Sequence, residues 1–135
     1  MAKESGLAIT TLSVDDSAGS AKDIRNDITN FQFSTPRAVQ DVTGVDKSAI
    51  ERLTLLADFS ITLNGVFNDA ASQAHAVFKT VSSTDVQRTV SLNISGQTLA
   101  VECVATDYNL TRAASGELTF TAPLSLANGA VPTWS

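Results

Sequence analysis

Acid–base, nucleophilic or metal chemistry in this chain would have to be built around one histidine, one cysteine and a scatter of carboxylates. His75 falls in a stretch with helical spacing, and its nearest acid, Asp69, lies on a different turn, so the two do not share a face as an acid–base pair must. It reads as a solvent-exposed or interfacial structural histidine. Cys103 falls on the apolar side of an alternating segment and reads as a buried, inert thiol; being alone, it supports neither an intramolecular disulfide nor a cysteine-based zinc site. Asp15-Asp16-Ser17-Ala18-Gly19-Ser20 lacks the acid spacing of a calcium loop and reads as a plain turn. There is no Gly-rich phosphate loop with a lysine after it. Asp58, Glu102, Asp107 and Glu117 lie on the polar sides of alternating segments. Three roles are open to them: a catalytic pair, solvated faces, or a collective acidic surface. Solvated faces are favoured over a pair. With no convergent groups, an enzyme ranks last, and no cofactor or metal is called for.

The elements that would carry these residues are mostly strands. From Leu53 to Phe67 the chain alternates: Leu53, Leu55, Ala57, Phe59, Ile61, Leu63 and Phe67 on one side, Thr54, Asp58, Ser60, Thr62 and Asn64 on the other. Successive strand side chains point to opposite faces, so this predicts one long strand with a dry and a wet side. Further strands are expected at Leu7–Val14, at Ile28–Ser34 before Pro36, at Val90–Ile94, at Leu99–Ala105 after a tight Ser95-Gly96 turn, and at Leu118–Leu126. Pro123 has no N–H and belongs at an edge or bulge of the last. One helix is predicted over Asn68–Thr80, capped by Asn68 or Asp69, with Ala70, Ala71, Ala74, Val77 and Phe78 on one side. Residues 35–52 form a long excursion without clean periodicity, and 127–135 an extended tail. The expected fold is mainly β: an antiparallel β-sandwich or barrel with one flanking α-helix and a long inter-strand loop, in a single domain spanning 1–135.

Composition narrows the function. The chain of 135 residues suffices for one hydrophobic core. Its net charge is −5, and its nine basic residues are scattered without a run, which argues against an electrostatic grip on nucleic acid. An acidic surface that repels DNA stays compatible with those numbers. No segment reads as a signal peptide and no apolar run approaches the roughly 20 residues that cross a bilayer, so the chain is expected to be made and kept in a cytosol, with no membrane partner.

In order along the chain stand Phe31-Gln32-Phe33-Ser34-Thr35-Pro36-Arg37, Asp41-Val42-Thr43-Gly44, Leu56-Ala57-Asp58-Phe59-Ser60-Ile61-Thr62-Leu63-Asn64-Gly65-Val66-Phe67 and Ala74-His75-Ala76-Val77-Phe78. With the Ser95-Gly96 hairpin and Gly116-Glu117-Leu118-Thr119-Phe120, this order resembles the tail tube (major tail) proteins of long, non-contractile-tailed bacteriophages, over about residues 28–126. The resemblance implies a structural virion protein, assembled in the host cytoplasm into hexameric rings whose subunits pool strands into an inner β-barrel. Stacked rings would form the tail tube that conducts DNA from capsid to host. By position, 35–52 is then the inter-ring loop, with Asp41, Val42 and Thr43 as contacts, and Met1–Ser5 and Val131–Ser135 order on stacking. Asp58, Glu102, Asp107 and Glu117 become candidate lumen acids. Partners implied are further copies of the chain, tape measure, tail terminator and tail tip proteins, and DNA in transit. Two alternatives stand beside this: the tube protein of a contractile or type VI-like system, which shares the fold, and a small β-sandwich binding module. The last has only Tyr108 and Trp134 with which to stack a sugar.

Overall fold

The computed structural model describes residues 3–135; Met1 and Ala2, part of the N-terminal segment expected to order on stacking, lie outside them. A 3-10 turn at Gly6–Ala8 leads into β1 (Ile9–Asp15), followed by β2 (Ala21–Asp23), β3 (Ile28–Ser34), β4 (Arg37–Asp41), β5 (Arg52–Ala57) and β6 (Ser60–Val66). Helix α1 (Ala74–Phe78) precedes β7 (Arg88–Ile94), β8 (Gln97–Ala105), β9 (Asn109–Arg112) and β10 (Leu118–Leu126). All pairings are antiparallel. One sheet runs β2-β1-β7-β8-β10-β6-β3 with β9 beside β10, while β4 and β5 pair only with each other. The mainly β antiparallel architecture with one helix is therefore as expected.

The large sheet folds around a single core. Leu12 and Val14 of β1, Val90 and Leu92 of β7, and Leu99, Val101 and Cys103 of β8 meet Ile61 and Leu63 of β6 and Phe120, Ala122 and Leu124 of β10. The two halves are joined where the end of β8 pairs with Leu124–Leu126. Further along the same edge of β10, Leu118–Thr121 pair with β9, and one extra residue between Ala105 and Asn109 makes a bulge. Pro123 lies in this strand opposite Thr62, its carbonyl accepting from the Thr106 N–H at 3.3 Å. The β7–β8 hairpin turns through Ser95 and Gly96, both at positive φ (50° and 85°), the pattern of a two-residue turn matched to strand twist.

The long strand and the helix need correction. The single strand Leu53–Phe67 is two strands. At the break, the Asp58 side chain accepts its neighbour's Phe59 N–H at 2.7 Å, and the Asp58 N–H is taken by the Pro36 carbonyl at 2.9 Å. Beyond this point β5 leaves the body to pair with β4, so Leu53 and Leu55 are exposed and not on a dry face. The helix is also shorter than Asn68–Thr80. Asn68 Oδ1 accepts from the Ala70 N–H in a local turn, Ser72 adopts a positive φ of 65°, and Gln73 is extended, so helical geometry begins only at Ala74. Ala70 and Ala71 are exposed; Ala74, Val77 and Phe78 are buried as expected.

Two buried charged side chains bracket this short helix. Asp27, 1% exposed, accepts from the Ala74 N–H at 2.8 Å and from the Asn68 side-chain amide at 2.7 Å. Arg88, 1% exposed, donates to the carbonyls of Val77 (2.8 Å) and Asp15 (2.9 Å) and to the Thr80 hydroxyl (3.1 Å). An acid thus meets the unpaired N–H end of the helix and a base its carbonyl end, the arrangement that satisfies orphaned backbone groups. Burial pulls the pKa of Arg88 down, against the fields of Asp16 and Asp15. Gly65 completes the join: a Cβ there would run into the Asp27 carbonyl and lie 2.9 Å from the Phe120 ring. That close approach lets the Val66 N–H reach the same carbonyl at 2.9 Å.

Candidate assembly surfaces

Three surfaces follow from this framework. The first is the outward face of β9-β10-β6-β3. Cross-strand register sets Asn109, Thr121, Asn64 and Asn30 in one row, with Thr62 and Gln32 beside Pro123 in the next, and Ser125, Ser60 and Ser34 beyond. These side chains alternate with the buried Ile61, Leu63, Phe120, Ala122 and Leu124, which explains their outward orientation. Several bond to one another along the rows. The Asn64 amide donates to Asn30 Oδ1 at 2.9 Å, the Thr121 hydroxyl donates to Asn64 Oδ1 at 2.8 Å, and the Ser34 and Ser60 hydroxyls lie 3.4 Å apart.

The second surface is the pair of edges that flank this wall. Among the described residues, neither β3 nor β9 has a partner on its outer side. Phe31 and Phe33 of β3 point toward the core yet stay half-buried, and Leu110 of β9, opposite Phe120, is 42% exposed. At the other end of the sheet the edge strand β2 is only three residues long, the short form that discourages pairing. Between β1 and β3 the sheet stays open, leaving a cleft of about 610 Å³ lined by Leu7, Ile9, Leu12, Ile28 and Phe31 with Arg25 at its margin.

The third surface is the β4–β5 arm. Val39, Leu53, Leu55 and Leu56 are exposed along it, and Val45 and Ile50 at its tip. Asp41, Val42 and Thr43 lie where β4 runs into the tip loop, and they hold that loop together. The Thr43 hydroxyl donates to Asp41 Oδ1 at 2.6 Å and accepts from the Glu51 N–H at 2.8 Å, while the Val42 N–H reaches the Glu51 carbonyl at 2.9 Å. The Thr43 side chain and backbone hold the Asp41 pKa below its ordinary value. Of the three, Asp41 alone is exposed.

The four candidate lumen acids are not brought together. Asp58 lies at the β5–β6 break and Glu117 just before β10, at opposite ends of the polar wall. Asp107 occupies the bulge between β8 and β9, where it accepts from the Tyr108 N–H at 2.8 Å. Glu102 is on the other half of the sheet, accepting from the Thr89 hydroxyl at 2.8 Å.

The residues weighed for chemistry are engaged in packing. His75 Nδ1 lies 3.2 Å from the Tyr108 hydroxyl, and its ring packs against Phe67. Tyr108 also packs on Phe78 and Phe120; burial, then the charge of Asp27, pushes its pKa up. Cys103 is buried, which drives its thiol up to about 12. Trp134 pairs with Leu99 and lays its ring against Phe33, so the tail returns along β8. Among the described residues, no group of three or more His, Cys, Asp or Glu is placed to hold a metal ion, and no helix is long and apolar enough to cross a membrane.

The missed residues are Asp27 and Arg88. The nearest signal is a charged residue close to the start of an expected strand, Asp27 before Ile28 and Arg88 before Val90, which surface residues share.

No protein-family model and no curated protein matches the sequence. Solved structures do match. A chain from the tail of an empty gene transfer agent particle, determined with helical refinement and C6 symmetry, aligns with a TM-score of 0.72 and 19% identity over 98% of both chains. A chain from the virion of a native gene transfer agent particle aligns with a TM-score of 0.70 and 16% identity, covering 97% of this chain and 99% of the other. At these identities the likeness is one of fold, and the fold this sequence adopts is similar to that of a gene transfer agent tail chain over 98% of its length.

Proposed function

We propose that this chain is the subunit of a tail tube: copies close into a ring through β3 and β9, rings stack through the β4–β5 arm, and the resulting tube conducts DNA from capsid to host. The observation that carries this reading is the four-stranded wall with an open edge at each end. Its unpaired edges carry half-exposed apolar side chains, and a closed ring of copies satisfies both at once. The C6 symmetry of the similar tail particle supports six copies. The outward polar face of the wall then looks into the conduit.

The arm supports stacking. A two-stranded sheet with apolar residues on its surface has no core of its own and gains one only against a neighbour. Asp41, Val42 and Thr43 serve stacking by fixing the shape of the tip, with Asp41 within reach of the next ring. The role is structural, without catalysis, in the tail of a virion assembled in the host cytoplasm. Tape measure, terminator and tip proteins would meet the tube inside and at its ends. A contractile-system tube is the second reading, since it would share the fold; a sugar-binding module is disfavoured because Trp134 and Tyr108 are committed to Phe33 and to the Phe78–Phe120 cluster.

Electron microscopy and sedimentation of the concentrated protein test this. Stacked rings with a central channel are expected. A protein that stays monomeric at high concentration and in tail extracts contradicts the reading.

A further inference from the structure

Resting on the ring reading, we infer that the strands of the conduit wall present no charged side chain: duplex DNA passes over hydroxyl and amide groups, with carboxylates only at the two rims and, as Asp107, in the bulge at the β9 edge. The outward positions of β3, β6, β9 and β10 carry Ser, Thr, Asn and Gln with Val66 and Pro123, and no Asp, Glu, Lys or Arg. This differs from a wall of acids that repels the duplex. None of the four carboxylates that would build such a wall stands on its strands: Asp58 and Glu117 lie at its two ends, Asp107 in the bulge that flanks Pro123, and Glu102 on the other half of the sheet.

A second observation points the same way. Side chains in the middle of the wall already bond to one another: Asn64 to Asn30, Thr121 to Asn64. The Asn64 amide and the Thr121 hydroxyl each spend a hydrogen on these bonds, and without Lys or Arg there is no counterion release to favour phosphate binding. The edges carry the same residue types, Asn109 and Thr111 on β9 and Asn30, Gln32 and Ser34 on β3, so pairing between copies continues the neutral surface across each joint. A neutral, internally bonded wall neither grips a polyanion nor needs to push it away. An acidic wall would repel the duplex with a force that salt weakens; a neutral one is indifferent to salt.

The experiment compares tubes of three kinds, each first imaged to establish assembly, for retention of a short fluorescent DNA duplex after sedimentation at several salt concentrations. Native tubes are expected to retain only the background level of duplex. Tubes in which Asp58, Glu102, Asp107 and Glu117 are changed together to Asn or Gln should behave like native ones. Gln32→Lys and, separately, Ser125→Lys, both at exposed wall positions, should raise retention by about tenfold or more at low salt, and this gain should fall steeply as salt rises. The inference is overturned if the acid-neutralised tubes retain duplex at low salt, or if both lysine variants assemble and retain no more than native tubes. If the native protein forms no tubes, the ring reading itself fails, and the wall inference with it.

Discussion

β5 and β6 are neighbours in the sequence and share one alternating pattern, yet they end in opposite environments. Ile61 and Leu63 are 1% and 0% exposed, whereas Leu53 and Leu55 are 54% and 41% exposed. Two residues separate the strands, and the Asp58 turn between them sends β5 away from the body. Alternation therefore establishes that a strand has two faces; what covers the apolar one depends on its partners. β6 finds β3 and β10 on either side and a core beneath. Among the described residues β5 finds only β4, and its leucines stay exposed.

The contrast can be broken from the body's side first. Leu63→Ala removes a fully buried side chain and should cost about 2–5 kcal/mol of unfolding free energy, read from urea unfolding of the unassembled protein. A loss under 1 kcal/mol would mean that β6 is not core. Asp27→Ala comes next: it orphans the Ala74 N–H and the Asn68 amide, at about 1–3 kcal/mol for each group left unpaired. Asp27→Asn should lose less, because its carbonyl oxygen can still accept one of those bonds.

On the arm the balance reverses. Leu53→Ser with Leu55→Ser should shift the stability of the unassembled chain by no more than about 0.5 kcal/mol per site, since both side chains are exposed. Sedimentation should nevertheless show that stacking is lost and rings accumulate. Equal loss of stability in arm and body variants would erase the distinction between the two strands.

The last effect concerns pH. The Cys103 thiol has a folded pKa raised to about 12 from 9.0, by burial first and the Glu102 charge second. Burial thus favours the neutral thiol, whose contribution is intact below pH 9.0 and declines as pH rises toward 12. The native protein should resist alkylation at pH 8 and react only once unfolded. In alkaline unfolding experiments, Cys103→Ala should lose less stability than the native chain over that interval. Matching slopes would place the thiol in contact with water.

Much of the body was legible in the sequence because its signals are local. The Ser95-Gly96 turn, the alternation of β8 and β10, and the apolar face of Ala74, Val77 and Phe78 each depend on a few consecutive residues. The rest depended on distant partners. The helix was expected from its own caps, but its first N–H is met by Asp27, 47 residues away in sequence. Strand β4 lies in the stretch 35–52 that shows no clean periodicity, and β9 is assigned to no strand from sequence, because their register comes from β5 and β10. The candidate surfaces were legible as polar sides of strands, while the exclusion of carboxylates from one wall needed the register of four strands together.

Hydrogen exchange on assembled and dilute protein tests the edge-to-edge ring most directly. If copies close through β3 and β9 and stack through the arm, outward amides of Ile28–Ser34 and Asn109–Arg112, with those of the arm, should exchange more slowly on assembly, while Ala21–Asp23 is unchanged. Slowed exchange at Ala21–Asp23 with β3 and β9 unaffected would contradict that closure and put the interface on the opposite edge of the sheet.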